Sequence, residues 1–214
     1  MEEKTQKVMG AITDDFQIQH NPNSCDPTCV ANVLHQMADS LQDDHLRIPL
    51  HKVNKICGYK NPRGVIPEKL VPNLRRALRP LGYNPVERFG ATRTMLNRVI
   101  MEKGCSFPIV GLSHEYMREE RDYRGDNDAD HSVILLKCGE QVSIVYDPFE
   151  SISPSMERRE QGLGRGVVAL FTYKFLEYWK LASVASNWML WIERQTVKNE
   201  TLDAALNGGS GGPR

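Results

Sequence analysis

The chain contains four side chains whose types and order could support acyl transfer through a thiol: Gln19, Cys25, His131 and Asp147. A thiolate attacks a carbonyl carbon, an imidazole takes and returns the proton, and a carboxylate holds the imidazole in the reactive tautomer. A glutamine amide can donate a hydrogen bond to the oxygen that becomes negative during the attack. The sequence therefore predicts a cysteine hydrolase, with nucleophile, base, orienting acid and oxyanion donor at Cys25, His131, Asp147 and Gln19.

The predicted nucleophile lies at the start of a predicted helix. Ser24 and Pro27 are capping and first-turn signals, and apolar residues follow at helical spacing: Cys29, Val30, Val33, Leu34 and Met37. The N-terminus of a helix favours a thiolate, because its backbone N–H groups are unpaired and the helix dipole is positive there.

A predicted hairpin brings the base and the acid together. Residues 132–137 and 142–146 are short β-branched runs, and the connection between them is short enough for a β-hairpin. His131 precedes the first strand and Asp147 follows the second. Because hairpin strands are antiparallel, these two residues are expected side by side, with the carboxylate in reach of a ring nitrogen.

The remaining patterns predict an α+β fold in which helices come first and strands follow. Further helices are expected over residues 66–81, starting or bending at Pro72, and over residues 92–103 and 173–181. Further strands are expected over residues 107–112, 166–172 and 188–193.

Length and composition favour one catalytic domain. The 214 residues are divided into a polar lead-in (1–15), a folded body (16–194) and a flexible Gly-rich tail (195–214). The 27 basic and 27 acidic residues give no net charge and the basic ones are scattered, which argues against nucleic-acid binding. The sequence shows no signal peptide and no membrane-spanning run, so a cytoplasmic protein without membrane contact is predicted.

The five cysteines favour free thiols in a reducing compartment, because their number is odd and their spacing is not that of a disulfide framework. A zinc site at His20, Cys25 and Cys29 is disfavoured, because the two thiols are not in a CxxC knuckle. The sequence thus predicts no cofactor and no metal. His20 and His114 are weaker candidates for the base than His131, since neither has an acid placed across a hairpin.

These residues give the chain a resemblance to the peptidase C39-like branch of the papain-like superfamily. The likeness rests on Gln19, residues 24–29, His131 opening a strand and Asp147-Pro148 after the next one, and residues 175–179 resemble the helix that often follows the acid. It covers about residues 16–193 and implies a papain-like fold in which a helical half, with the nucleophile at a helix start, packs on an antiparallel sheet. One position departs from the pattern: Asp26 stands where the family usually has glycine, and could cap the helix, oppose thiolate formation or obstruct substrate.

The resemblance implies hydrolysis of peptide or isopeptide bonds through a thioacyl-enzyme, and some members of the family cut after a double glycine. The tail contains two such pairs, at residues 208–209 and 211–212, so a diglycine-containing peptide or protein is one predicted substrate. The acidic stretch before His131 favours a lid that selects basic or polar substrates. Two alternatives stay open: a transglutaminase-like acyltransferase or amidase, and a catalytically silent binding module.

Overall fold

The computed structural model describes residues 16–20, 23–61, 63–123, 130–149, 163–183 and 186–195. Within this part of the chain, six α-helices and a six-stranded sheet confirm the predicted α+β class. The helices are α1 (Cys25–Leu41), α2 (Leu50–Cys57), α3 (Pro67–Leu78), α4 (Arg93–Met101), α5 (His114–Glu119) and α6 (Thr172–Leu181). The strands are β1 (Tyr83–Arg88), β2 (Ile109–Leu112), β3 (His131–Cys138), β4 (Val142–Tyr146), β5 (Val167–Phe171) and β6 (Met189–Arg194).

The sheet has the order β1-β6-β2-β3-β4-β5, and every neighbouring pair is antiparallel. β3 and β4 form the predicted hairpin, with an irregularity in register between Leu135 and Lys137. On its other side β3 pairs with β2, which sets Leu112 opposite His131. The first residue of β3 is therefore fixed by sheet pairing.

Both faces of the sheet are covered by helices. Alternate side chains of β3 point to opposite faces and pack in two different hydrophobic clusters. Ile134 and Leu136 belong to a hydrophobic cluster with residues of α1, α2 and α3. Val133 and Leu135 belong to a second cluster with residues of α4, α5 and α6. A fully buried side chain of this size stabilises the fold by roughly 1.5–3 kcal/mol, so the core holds β3 firmly against both layers.

The apolar stripe predicted for the first helix is confirmed, because Cys29, Val30, Val33, Leu34 and Met37 are all buried. α1 packs on β3. The helix that carries Cys25 and the strand that begins with His131 are thus direct neighbours in the core.

One strand, β1, lies within the helical first half, where no strand was predicted; it precedes α4 and pairs with β6. β1 was missed because Pro85 and the charged Glu87 and Arg88 resemble a loop. Proline is tolerated at a sheet edge, and β1 is an edge strand.

Among the helices, α2 and α5 were not predicted, and both are short. The helix expected over residues 66–81 is present as α3 and a 3₁₀ turn at Arg79–Leu81, and Pro72 lies within it, not at its start. Within the described ranges, no helix combines the length and the hydropathy needed to cross a membrane.

Candidate active site

Cys25 is the first residue of α1, as predicted, and only 8% of it is exposed. The first turn is closed by Thr28, whose backbone N–H and hydroxyl both donate to the Ser24 carbonyl, at 3.1 and 2.7 Å. The Ser24 side chain makes no capping hydrogen bond. The Cys25 sulfur therefore lies at the positive end of the α1 dipole, where negative charge is stabilised.

His131 and Asp147 meet at one end of the β3–β4 hairpin. The His131 Nε2 and Asp147 Oδ1 atoms are 2.6 Å apart. Both residues are buried, and the Asp147 backbone N–H donates to the Gly166 carbonyl at 2.7 Å. This contact is the one that the hairpin argument predicted.

Cys25 lies close enough to His131 to act on its pKa. Since Nε2 faces Asp147, the ring nitrogen left for the sulfur is Nδ1. Burial alone lowers the pKa of His131, but the charge and hydrogen bond of Asp147 and the contact with Cys25 outweigh it and raise this pKa to about 10. The site thus favours an imidazolium, which is the partner a thiolate needs.

The Asp147 carboxylate is held from several directions. Oδ1 also accepts from the Phe149 backbone N–H at 2.7 Å, and Oδ2 accepts from the Tyr116 hydroxyl at 2.8 Å. The Arg121 Nε atom lies 3.1 Å from Oδ2. Burial alone raises the pKa of Asp147, but the charges of His131 and Arg121 outweigh it and lower this pKa below its ordinary value.

Sequence reasoning missed Tyr116 and Arg121. Both lie between Ser113 and His131, a stretch interpreted as a charged loop, yet α5 occupies its first part and Arg121 is completely buried. A run of charged residues gives the same sequence pattern whether one of its members is exposed or paired in the core. A single sequence therefore offers no signal for this pair.

The segment that carries Gln19 is fixed between the nucleophile helix and the acid strand. The Gln19 backbone N–H donates to the Pro148 carbonyl at 2.7 Å. Asn32 of α1 exchanges two hydrogen bonds with the backbone of Gln17, at 2.8 and 2.9 Å, and the Tyr146 hydroxyl donates to the Gln17 carbonyl at 2.9 Å. Among the described residues, none forms a hydrogen bond with the buried Gln19 Oε1 atom.

Asp26 does not cap α1 but bonds across to β3, where its carboxylate accepts a hydrogen bond from the Ser132 hydroxyl. Burial raises the pKa of Asp26, and the Ser132 bond and the His131 charge counteract this only in part. Asp26 and Ser132 both line a cavity of about 370 Å³.

The cavity that Asp26 and Ser132 line is acidic and partly apolar. None of the described residues that line it is Lys or Arg; they are Asp26, Pro67, Glu68, Leu70, Glu87, Phe89, Gly111, Asp130, Ser132, Ala182 and Trp188. The Trp188 indole N–H donates to Glu87 at 2.7 Å. The acidic stretch before His131 contains Asp126 and Asp128, which lie outside the described residues, as do the two diglycine pairs of the tail. The predicted lid and the predicted diglycine substrate therefore stay predictions.

The other thiols and histidines lie in different surroundings. All five cysteines are free thiols. Cys29 donates to the Ser132 carbonyl at 3.3 Å, and burial raises the pKa of Cys29 and of Cys57 well above the ordinary value and that of Cys105 to about 11. His114 lies 3.5 Å from Glu115. Within the described ranges, no group of three or more His, Cys, Asp or Glu residues is placed to hold a metal ion.

Comparison with known proteins gave few relatives. No family model matches the sequence, and no curated protein matches it. Thirteen chains of known structure match. One of them is a double glycine motif protease from an AMS/PCAT transporter in complex with the leader peptide; the match has 16% sequence identity, covers 83% of this chain and 89% of that chain, and has a TM-score of 0.46.

Proposed function

We propose that this chain is a cysteine peptidase that hydrolyses peptide or isopeptide bonds through a Cys25–His131–Asp147 triad. The observation that supports this most directly is the position of His131, whose Nε2 atom lies 2.6 Å from Asp147 Oδ1 and whose pKa is raised by Cys25. A thiol, an imidazole and a carboxylate connected in this order are the parts of an activated nucleophile.

In the proposed reaction, the Cys25 thiolate attacks the carbonyl carbon of the scissile bond, and the carbonyl oxygen becomes an oxyanion. The Gln19 amide and the Cys25 backbone N–H stabilise that oxyanion. The tetrahedral intermediate collapses, the C–N bond breaks, and the His131 imidazolium gives its proton to the leaving amine. Water then loses a proton to His131 and attacks the thioester, which releases the acid and restores the thiolate–imidazolium pair.

The cavity supports a preference for peptides that carry basic side chains. Asp26 and Ser132, which follow Cys25 and His131 in the sequence, both line it, and four carboxylates contribute to its lining: Asp26, Glu68, Glu87 and Asp130. Carboxylates around a partly apolar pocket attract a cationic group and disfavour an anionic one. The apolar residues Leu70 and Trp188 would contact the methylene stem of a lysine or arginine.

A peptide library incubated with the protein, followed by mass spectrometry of the products, tests the proposal. Wild-type protein is expected to cut a subset of peptides, whereas Cys25→Ala cuts none and Cys105→Ala cuts like wild type. Products that gain an amine in place of water would support the acyltransferase alternative, and release of ammonia would support an amidase. No turnover by the folded wild type would favour a silent binding module. Diglycine peptides form one arm of the library, and the intact masses of wild type and Cys25→Ala test self-processing in the tail.

A further inference from the structure

Arg121 is a buried cation that contacts the short segment containing Asp147 and Phe149. Its Nε atom lies 3.1 Å from Asp147 Oδ2, and its terminal NH₂ group donates to the Phe149 carbonyl at 2.9 Å. The residue is completely buried. A charge with no access to water is costly unless it is paired, so an ionised Asp147 favours the burial of Arg121.

The two oxygens of the Asp147 carboxylate have separate partners. Oδ1 is bonded to His131 and to the Phe149 N–H, whereas Oδ2 is bonded to Tyr116 and paired with Arg121. Burial and the neighbouring Asp147 charge raise the pKa of Tyr116 well above its ordinary value, so its hydroxyl stays a donor. Rotation of the carboxylate would break contacts at both oxygens, and Oδ1 therefore remains directed at His131.

Arg121 also changes the charge balance of the site. Without Arg121, the negative charge of the Asp147 carboxylate would face one positive charge, that of the His131 imidazolium. With it, Asp147 is shared between two cations. Other titratable or charged groups that act on His131, Asp147 or Tyr116 are Cys25, Asp26 and Cys29 from α1 and Glu120 after α5.

We infer that Arg121 is a positioning residue of the proposed triad, which fixes the Asp147 carboxylate and balances its charge. The inference rests on the proposed function and goes beyond it by assigning a role to a residue outside the triad, which acts through the Asp147 carboxylate. Removal of a nearby positive charge favours the protonated form of every group in the site. Loss of Arg121 therefore raises the pH at which the His131 imidazolium loses its proton.

The test compares Arg121→Met, which removes the charge, with Arg121→Lys, which keeps the charge but loses the planar fork. Arg118→Met is the matched control, because Arg118 is exposed on α5. Two profiles are measured against pH: kcat/KM for a peptide that wild type cuts, and the rate at which iodoacetamide alkylates Cys25. Arg121→Met is expected to shift the alkaline limb of both profiles upward by about one pH unit. Arg121→Lys keeps the limbs within a few tenths of a unit but lowers kcat, and Arg118→Met behaves like wild type.

Superimposable profiles for a folded Arg121→Met and wild type would overturn the inference. If Arg121→Met does not fold, the kcat values of Arg121→Lys and Tyr116→Phe test the inference instead. Wild-type kcat in both variants would overturn it, and lowered kcat in both would support it. A failure of the proposed function is distinguishable. In that case wild type cuts no peptide, while the alkylation profile of Cys25 still reports whether Arg121 acts on the thiol–imidazole pair.

Discussion

Asp26 and Ser132 hydrogen bond to each other through their side chains, and each immediately follows one member of the proposed pair, Cys25 and His131. The Cys29 thiol donates to the Ser132 carbonyl at 3.3 Å. The first two turns of α1 are thus attached twice to the start of β3. The position of sulfur relative to imidazole depends on this junction between helix and strand.

The junction predicts energetic coupling between its two side chains. In a double-mutant cycle with Asp26→Ala, Ser132→Ala and the double variant, the effects on the free energy of unfolding should fail to add by about 0.5–3 kcal/mol. Each single change leaves a buried partner without its bond, whereas the double change removes both groups. Urea unfolding measures the free energy of unfolding of wild type and of the three variants. Additive effects would show that the bond contributes nothing.

Substitution of the acid should abolish most activity. In Asp147→Asn the amide can donate to His131 Nε2 and so favour the wrong tautomer, which leaves Nδ1 protonated toward Cys25. We expect kcat/KM to fall about 10⁴-fold, as in the serine-protease precedent, and the melting temperature to fall because Arg121 loses its charged partner. Asp44→Asn is the control, since that side chain is 94% exposed. Retention of wild-type turnover by Asp147→Asn would exclude Asp147 from the triad.

Gly166 is expected to be needed for the position of Asp147. It has φ of +75°, and a Cβ atom there would lie 2.7 Å from Tyr146 Cε2 and 2.8 Å from the Asp147 carbonyl oxygen. Gly82 has a similar φ of +84° with no heavy atom within 4 Å. Both alanine variants carry the backbone strain, but Gly166→Ala should lose about 1–3 kcal/mol more stability because of overpacking. Equal losses in urea unfolding would contradict this.

The pH dependence of stability should reveal the raised pKa of His131. A group with a raised folded pKa contributes stability that is fully present below its unfolded pKa and is lost as pH rises through its folded pKa. For His131 this window runs from about 6.5 to about 10. Wild type should lose stability relative to His131→Gln across it, by up to about 1.4 kcal/mol per pH unit. Parallel curves for the two proteins would contradict the shift.

Asp147 makes stability depend on pH in the opposite direction, and it does so at acid pH. Its folded pKa is lowered, so its contribution is present above the unfolded value of about 3.9 and is lost as pH falls through the folded pKa. Below about pH 4, wild type should therefore lose stability more steeply than Asp147→Asn. Urea unfolding between pH 5 and pH 2 checks this, and a variant that loses stability as steeply as wild type would be inconsistent with a lowered pKa.

The acidic cavity predicts a change of substrate preference. Glu87→Gln removes one lining charge while the amide oxygen can still accept the Trp188 N–H bond. Cleavage of arginine- or lysine-containing peptides should fall about fivefold, with neutral peptides unaffected. Glu177→Gln, on the exposed side of α6, should leave both rates unchanged. Equal loss for basic and neutral peptides would remove the charge argument.

The His131–Asp147 contact could be predicted because it follows from local topology. A short connection between two strands leaves few ways to pair them, and the residues at their open end then meet. The roles of Tyr116 and Arg121 could not be predicted, because they depend on how α5 and the residues after it pack next to Asp147. β1 was missed for a similar reason: its pairing with β6 joins segments that are far apart in the sequence, and Pro85 hides its strand pattern.

The central claim is that Cys25 and His131 form one reactive unit, and selective alkylation tests it most directly. Wild type and His131→Ala are treated with limiting iodoacetamide at pH 6, and each cysteine is quantified by peptide mapping. The account predicts that Cys25 is labelled at least about ten times faster than Cys105 in wild type, and that His131→Ala removes this advantage. Equal, slow labelling of Cys25 and Cys105 in wild type, or an advantage that persists without His131, would contradict it.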